Sequence, residues 1–283
     1  MSETLATVRG QASRLRKMIE ETAADFHEEV YIRVDADEVN LLMQTNQRQV
    51  VSYSSYAAAH FDEVEGSGEA ILPVGGESKG ILDYLEFAEP SGTVEMRLDG
   101  EDGRATHWEA EGALNVRTRL PHSADDYNAV PWGHPKRWTP TNRYVSKSCL
   151  DEDGNLPSDP DEWATPPTTI ETTAATVRDQ IIEPADFADG VETRPIVVED
   201  GEFVVRVEGT QKDDSIWGVV NAESVEGPDV NREFQVGFDE VFKALEGPVR
   251  LETAPSGDVA APLTVVQDYS ETVVVRHTIG GLA

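Results

Sequence analysis

The sequence predicts an α+β chain of two similar lobes, each with two helices packed on antiparallel sheet. Three observations predict it. Two stretches ~160 residues apart share one pattern, and a repeat of that period dictates the architecture. The first runs from Ser13-Arg14-Leu15-Arg16-Lys17-Met18-Ile19 into Val30 to Val39; the second runs from Thr176-Val177-Arg178-Asp179-Gln180-Ile181-Ile182 into Pro195 to Val205. Each is a short amphipathic helix pattern, a loop, an alternating strand, an acidic turn and another strand. A later helix signal also recurs: Ile81-Leu82-Asp83-Tyr84-Leu85-Glu86 is echoed by Val241-Phe242-Lys243-Ala244-Leu245-Glu246. Finally, the segments around these helices alternate apolar and polar residues between glycine-containing turns, the signature of strands.

Residues 11–26 are expected to be helical because Leu15, Met18, Ile19, Thr22 and Phe26 fall on one stripe, with Arg14, Arg16 and Lys17 towards the other face. Strands follow at 30–35 and 38–43 around Asp35-Ala36-Asp37, then at 50–56 and 69–74. A second helix over 77–88 stops before Pro90 and Gly92. Residues 93–99, 104–110 and 112–120 read as a three-strand meander. The second lobe repeats this with a helix at 173–183 and strands near 195–199, 202–208 and 215–222. A helix at 237–246 follows, then strands at 248–253, 262–267 and 272–278. The predicted organisation is an N-terminal lobe over 1–120, a connector over 121–168 and a C-terminal lobe over 169–283. The connector is rich in proline, holds three of the five tryptophans and is too long for an ordinary loop.

The chain has 283 residues, enough for two cores, with 54 acidic against 23 basic residues and a formal charge of −31. Only 6 of the basic residues are lysine, and the acid is spread along the whole chain. That pattern points to a halophilic protein, since acidic surfaces stay hydrated in molar salt and the Debye length there is only ~3 Å. An acidic mesophilic protein or a solvating tail is the plainer alternative. Cys149 is the single cysteine, so neither an intrachain disulfide nor a cysteine-based zinc site forms. The N-terminus Met1-Ser2-Glu3-Thr4-Leu5-Ala6 lacks a signal core and no apolar run reaches membrane-spanning length, so a cytoplasmic location without membrane contact is expected.

Against this background the chain resembles the sliding clamps of the archaeal and eukaryotic type, the family of proliferating cell nuclear antigen (PCNA), in a haloarchaeal or haloarchaeal-virus version. Residues 11–120 and 169–279 carry the resemblance through the order and spacing of elements. Its most specific piece is Glu199-Asp200-Gly201-Glu202-Phe203-Val204-Val205-Arg206-Val207-Glu208-Gly209 followed by Ser215-Ile216-Trp217-Gly218-Val219-Val220, which is similar to the family's second-lobe hairpin and the edge strand used for subunit contact. Pro262-Leu263-Thr264-Val265-Val266 resembles its closing strand. The first-lobe loop departs from the family, reading Met43-Gln44-Thr45-Asn46-Gln47-Arg48, and the connector is longer.

The resemblance implies the sliding-clamp fold and a DNA polymerase processivity factor: a homotrimeric ring around duplex DNA that tethers polymerase and other replication proteins without doing chemistry. The helix residues it places towards DNA are Arg14, Arg16, Lys17, Lys79, Arg178 and Lys243, where they position phosphates without reading bases. Their alternative role is in local ion pairs such as Arg16–Glu20 and Lys17–Glu21. Subunit contact is implied for strands 112–120 and 215–222 through Leu114, Val116, Trp217 and Val219. Partner docking is implied for Met43 and Arg48, where the family has a peptide pocket, and for Trp132 and Trp138 of the connector.

Pro131 to Ser148 contains Lys136, Arg137, Arg143 and Lys147 with no acidic residue, interleaved with Trp132, Trp138 and Tyr144. Such a segment can dock a protein, stack on single strands or pin a loop to the sheet. Asp151, Asp153, Asn155, Asp159 and Glu162 have the spacing of a calcium loop, but Leu156 stands where glycine is needed and Pro166-Pro167 blocks an exiting helix, so a plain acidic linker is the competing reading. The six histidines lack metal spacing, and no phosphate loop or nucleophile elbow is present. No cofactor, metal or enzymatic activity is expected. The alternatives are a monomeric processivity factor of the same fold, a β-rich structural protein of a halophilic virus, and a hydrolase whose site is dispersed in sequence.

Overall fold

In the computed structural model the described residues are 3–23, 26, 29–45, 50–74, 80–112, 116–120, 167–188, 190–209, 215–235, 237–253, 262–270 and 273–280. Lys79, Arg48, Leu114, Trp132, Trp138 and the possible calcium loop at 151–162 lie outside them. Contacts group 1–43, 52–132 and 268–275 into one compact unit and 44–51, 133–267 and 276–283 into another.

The first repeat starts with a strand that the sequence pattern did not reveal, β1 (Glu3–Gln11), leading into α1 (Ala12–Ala23). It continues through β2 (Glu29–Val34), β3 (Glu38–Gln44), β4 (Val50–Ala57), a 3₁₀ turn (Ala58–His60), β5 (Glu63–Gly66) and β6 (Gly68–Pro73). A short α2 (Ile81–Leu85) precedes β7 (Thr93–Glu101), β8 (Arg104–Glu111) and β9 (Val116–Arg119). The second repeat starts with β10 (Thr168–Thr173) and a helical run of α3 (Ala174–Val177), a π-helical turn (Arg178–Ile182) and α4 (Glu183–Phe187). Next come β11 (Arg194–Glu199), β12 (Glu202–Glu208), β13 (Ser215–Val219), β14 (Ser224–Glu226) and β15 (Val230–Phe234). It closes with α5 (Phe238–Ala244), β16 (Pro248–Thr253), β17 (Leu263–Ser270) and β18 (Val273–Ile279).

The repeat extends to the pairing. In the first lobe β1 pairs antiparallel with β5 and β7, β2 with β3 and β6, and β7 with β8. In the second, β10 pairs with β14 and β16, β11 with β12 and β15, and β16 with β17. One difference is a parallel bridge, Glu69 to Arg104, which joins β6 to β8 and merges the first-lobe strands into the order β4-β3-β2-β6-β8-β7-β1-β5. In the second lobe β13-β12-β11-β15 stays a separate four-stranded sheet. Two hairpins turn through Asp-Gly pairs with positive φ at both residues, Asp102 (54°)–Gly103 (76°) and Asp200 (52°)–Gly201 (78°). This is the two-residue geometry whose twist matches that of paired strands.

Leu15, Met18 and Ile19 of α1 are fully buried, each worth ~1.5–3 kcal/mol in apolar burial. The polar end of the helix is tied to β4. Thr22 Oγ1 donates to the Met18 carbonyl at 2.9 Å and meets Ser54 Oγ at 2.5 Å, while Tyr56 Oη donates to Glu21 Oε2 at 3.3 Å. Burial and the Glu21 charge push the Tyr56 phenol well above its ordinary range. The second core centres on Phe203, Phe234, Phe238 and Phe242, all essentially inaccessible. Arg194 of β11 holds Asp239 of α5 through Nε–Oδ1 at 2.8 Å and Nη2–Oδ2 at 2.7 Å, and also contacts Asp186 of α4. These charge-assisted contacts hold the Arg194 guanidinium above its usual pKa. No helix of the described residues is long and apolar enough to cross a membrane.

Candidate nucleic-acid interface and edge strands

Ala12 and Ala174 start the equivalent helices, and each donates its N–H to a glycine carbonyl, Gly92 and Gly247, at 2.9 Å. Counting on from these alanines, Arg16 and Arg178 occupy the same helical position. Each arginine ties its first helix to the second helix of its lobe. Arg16 Nε donates to Glu20 at 2.6 Å and Nη2 reaches Glu86, just past α2, at 3.4 Å. Arg178 Nη1 donates to the carbonyls of Phe242 and Leu245 at 2.6 and 2.8 Å. That contact supplies donors to carbonyls left open at the end of α5.

Arg14 and Lys17 are exposed on α1 beside the half-exposed Arg16. Lys17 Nζ lies 3.3 Å from Glu21, and Arg14 donates to the His60 carbonyl at 3.2 Å. Both helical ion pairs expected from the spacing therefore form; an exposed i,i+4 pair such as Arg16–Glu20 is worth only ~0.3–0.5 kcal/mol and is screened by salt, whereas the Glu21 carboxylate of the other pair is buried. Burial, together with the Arg14 and Lys17 charges, lowers the His60 pKa below its ordinary value. On the second lobe Asp179 stands where the first has Lys17, and Asp179, Glu183 and Asp186 are exposed along the helical run. Lys243 is exposed in the last turn of α5, where a cation favours the helix dipole. The structure thus brings Arg14, Arg16 and Lys17 together on α1, engages Arg178 within its lobe and carries Lys243 on the second repeat.

Met43, at the end of β3, is fully buried, so its side chain is not presented to a partner. Among the described residues no group of His, Cys, Asp and Glu is placed to hold a metal ion. An open depression of about 300 Å³ lies on β11, β12 and β15, lined by Pro195, Val197, Arg206, Glu208 and Glu233 among others.

Strands β9 and β13 are among the outer strands and have one neighbour each among the described residues, β8 and β12. Val220 N–H donates to the Phe203 carbonyl at 2.8 Å. Alternation along an antiparallel ladder then turns the N–H groups of Gly218 and Ile216 towards β12, and those of Trp217 and Val219 outwards. Leu120 N–H donates to Thr106 at 2.9 Å, which likewise turns the N–H groups of Val116 and Thr118 to β8 and those of Arg117 and Arg119 outwards. Trp217 is 81 % exposed and Val219 63 %. A long exposed aromatic on an unpaired edge marks an interaction surface rather than a protected edge. The sequence reading named Trp217 and Val219 but missed Arg117 and Arg119; their spacing of two, cation-polar-cation in a short strand, was the signal.

No family model and no curated protein matches the chain. Solved structures do. PCNA from Thermococcus kodakaraensis superposes with TM-score 0.68 at 15% identity, covering 98% of this chain and 99% of that one. A. fulgidus PCNA, bound to the C-terminal region of FEN-1, gives 0.67 at 13% identity with 99% of both chains covered. PCNA from Entamoeba histolytica gives 0.66 at 12% identity over 99% of this chain and 100% of that one. With its two βαβββββαβββ repeats, the chain has the sliding-clamp fold of these PCNA structures.

Proposed function

We propose that the protein is a sliding-clamp processivity factor of a halophilic archaeon or its virus. Three copies close a ring around duplex DNA in the cytoplasm, and the ring tethers DNA polymerase and other replication proteins without doing chemistry. The division into lobes 1–120 and 169–283 around a 121–168 connector belongs to this reading. The observation that carries it is a clamp fold spanning nearly the whole chain with an open edge strand on each lobe, one of them bearing Trp217 and Val219. Edges of this kind support head-to-tail contact, which closes into a ring when the rotation permits.

The acidity fits such a mechanism better than ordinary DNA binding. Counterion-driven affinity falls steeply with salt, and a chain of charge −31 gains little from it. A closed ring stays on DNA by topology, so a modest basic face such as Arg14, Arg16 and Lys17 suffices to keep the duplex centred. The confinement of clustered cations to α1 among the described helices also supports the second reading, a monomeric factor of the same fold held to DNA by that face.

Replacing Arg14, Arg16 and Lys17 together by Glu is expected to cut processive synthesis by about fivefold or more, with circular dichroism unchanged. In the unaltered protein, duplex phosphates near this cluster should raise the lowered His60 pKa, read by NMR titration. Full processivity in the variant, with no movement of His60 on adding DNA, would contradict the DNA-facing assignment.

A further inference from the structure

We propose that Trp217 of one copy is covered by the guanidinium groups of Arg117 and Arg119 of the next, making a cation–π contact the main salt-resistant element of the subunit junction. The inference rests on the head-to-tail reading above and specifies its chemistry.

The faces agree. On β12, Phe203, Val205 and Val207 are buried in the core, so Arg206 and Val204 face away from it. Trp217 pairs with Arg206 and Val219 with Val204, which puts both on that outer face. On β8, Trp108 and Ala110 are buried, so His107 and Glu109 face outwards. Arg119 pairs with His107 and Arg117 with Glu109, again on the outer face. Joining β9 to β13 antiparallel with the two core faces continuous therefore places both arginines on the same surface as the indole. Residues sharing a face sit directly opposite or one diagonal step away, ~5 and ~7–8 Å apart. A tryptophan opposite either arginine is thus within reach of both.

The geometry of Arg117 suits stacking. Its Nη2 lies 3.1 Å from Asp99 and its Nη1 3.8 Å from Glu109, yet the side chain remains half exposed. Carboxylates at the edge of a guanidinium orient it while leaving its flat face for an aromatic ring. The edges are also complementary: a strand with two exposed cations in an otherwise acidic chain meets an uncharged strand whose exposed residues are Ser215, Trp217 and Val219. This complementarity selects a second copy as the occupant. The contact suits molar salt, where ion pairs on a rim are screened within ~3 Å, while arginine stacked on tryptophan retains its packing and its attraction to the ring face.

The test is a double-mutant cycle on the oligomer's dissociation constant, measured by sedimentation in about 3 M KCl. Trp217→Ala is expected to weaken association by about tenfold or more, and Trp217→Phe by less. Arg119→Gln, and Arg117→Gln with Arg119→Gln, should each weaken the unaltered protein by about fivefold or more, but by no more than about twofold in the Trp217→Ala background. All three side chains altered are exposed, and Arg119→Gln leaves the Arg117 ion pairs in place, so folding is preserved and is checked by circular dichroism. Additive effects, or arginine variants that associate normally, overturn the cation–π assignment while leaving the head-to-tail reading intact. An unaltered protein that is monomeric at every salt overturns both.

Discussion

Val219→Pro is expected to convert the protein to monomers with both lobes folded. The Val219 N–H points out of the β13 edge, away from β12, because the neighbouring Val220 N–H is the one bonded to Phe203. Proline there removes a donor and adds ring bulk where a partner strand would pair, without deleting a hydrogen bond of the lobe's own ladder. A loss of about 3 kcal/mol at the junction weakens association by roughly a hundredfold or more. Gly218→Pro supplies the contrast. Its N–H faces β12, so that variant should lose lobe stability as well as assembly. Val116 belongs to the same class as Gly218: its N–H turns to β8, and proline there would disrupt the first lobe instead of probing its open edge. Sedimentation and circular dichroism separate the two outcomes. A Val219→Pro protein that keeps its full oligomer would show that β13 is not the contact strand.

The largest effect on stability is expected from Phe242→Ala. Phe242 and Phe238 pack with ring centroids 4.7 Å apart, Phe238 lies 6.1 Å from Phe234, and all three are inaccessible to solvent. Truncation leaves a cavity beside the Phe238 ring in this buried cluster and costs about 3–5 kcal/mol. Phe242→Leu should cost less because volume is largely retained. Urea unfolding in molar KCl reads the difference. A loss under about 1 kcal/mol for the alanine variant would contradict the central place of this residue in the second core.

What could be read from the sequence follows from how strongly each element's burial is written in apolar residues. The helices that carry a wide stripe, such as Leu15-Met18-Ile19, and the hairpins with Asp-Gly turns or regular alternation were legible, and so was the duplication. The first strand of each repeat was not. The inward positions of β10 are Thr168, Ile170 and Thr172, so only one is apolar. The two threonine hydroxyls are buried because they donate to the Pro228 and Asn221 carbonyls at 2.6 and 2.8 Å. The inward residues of β1 are Ala6, Val8 and Gly10, too small to register as a strand face. On β15 the inward positions include Arg232, again hiding the alternation. The second helix was expected over 77–88, whereas the regular part spans Ile81–Leu85, followed by turns at Glu86 and Phe87.

The site was legible in part for a similar reason. Charge at helical spacing identified the α1 cluster and its ion pairs, because both depend on local periodicity. The role of Arg178 was not readable, since its partners, the carbonyls of Phe242 and Leu245, belong to a helix distant in sequence. Nor was the direction of each edge N–H, which depends on strand register.

The central claim is that these open edges close three copies into a ring. The most direct test is the light-scattering mass of the unaltered protein in about 3 M KCl, where repulsion between acidic subunits is screened. The account predicts a species of three 31.0 kDa chains. A mass of one chain under those conditions, at all protein concentrations measured, would contradict it.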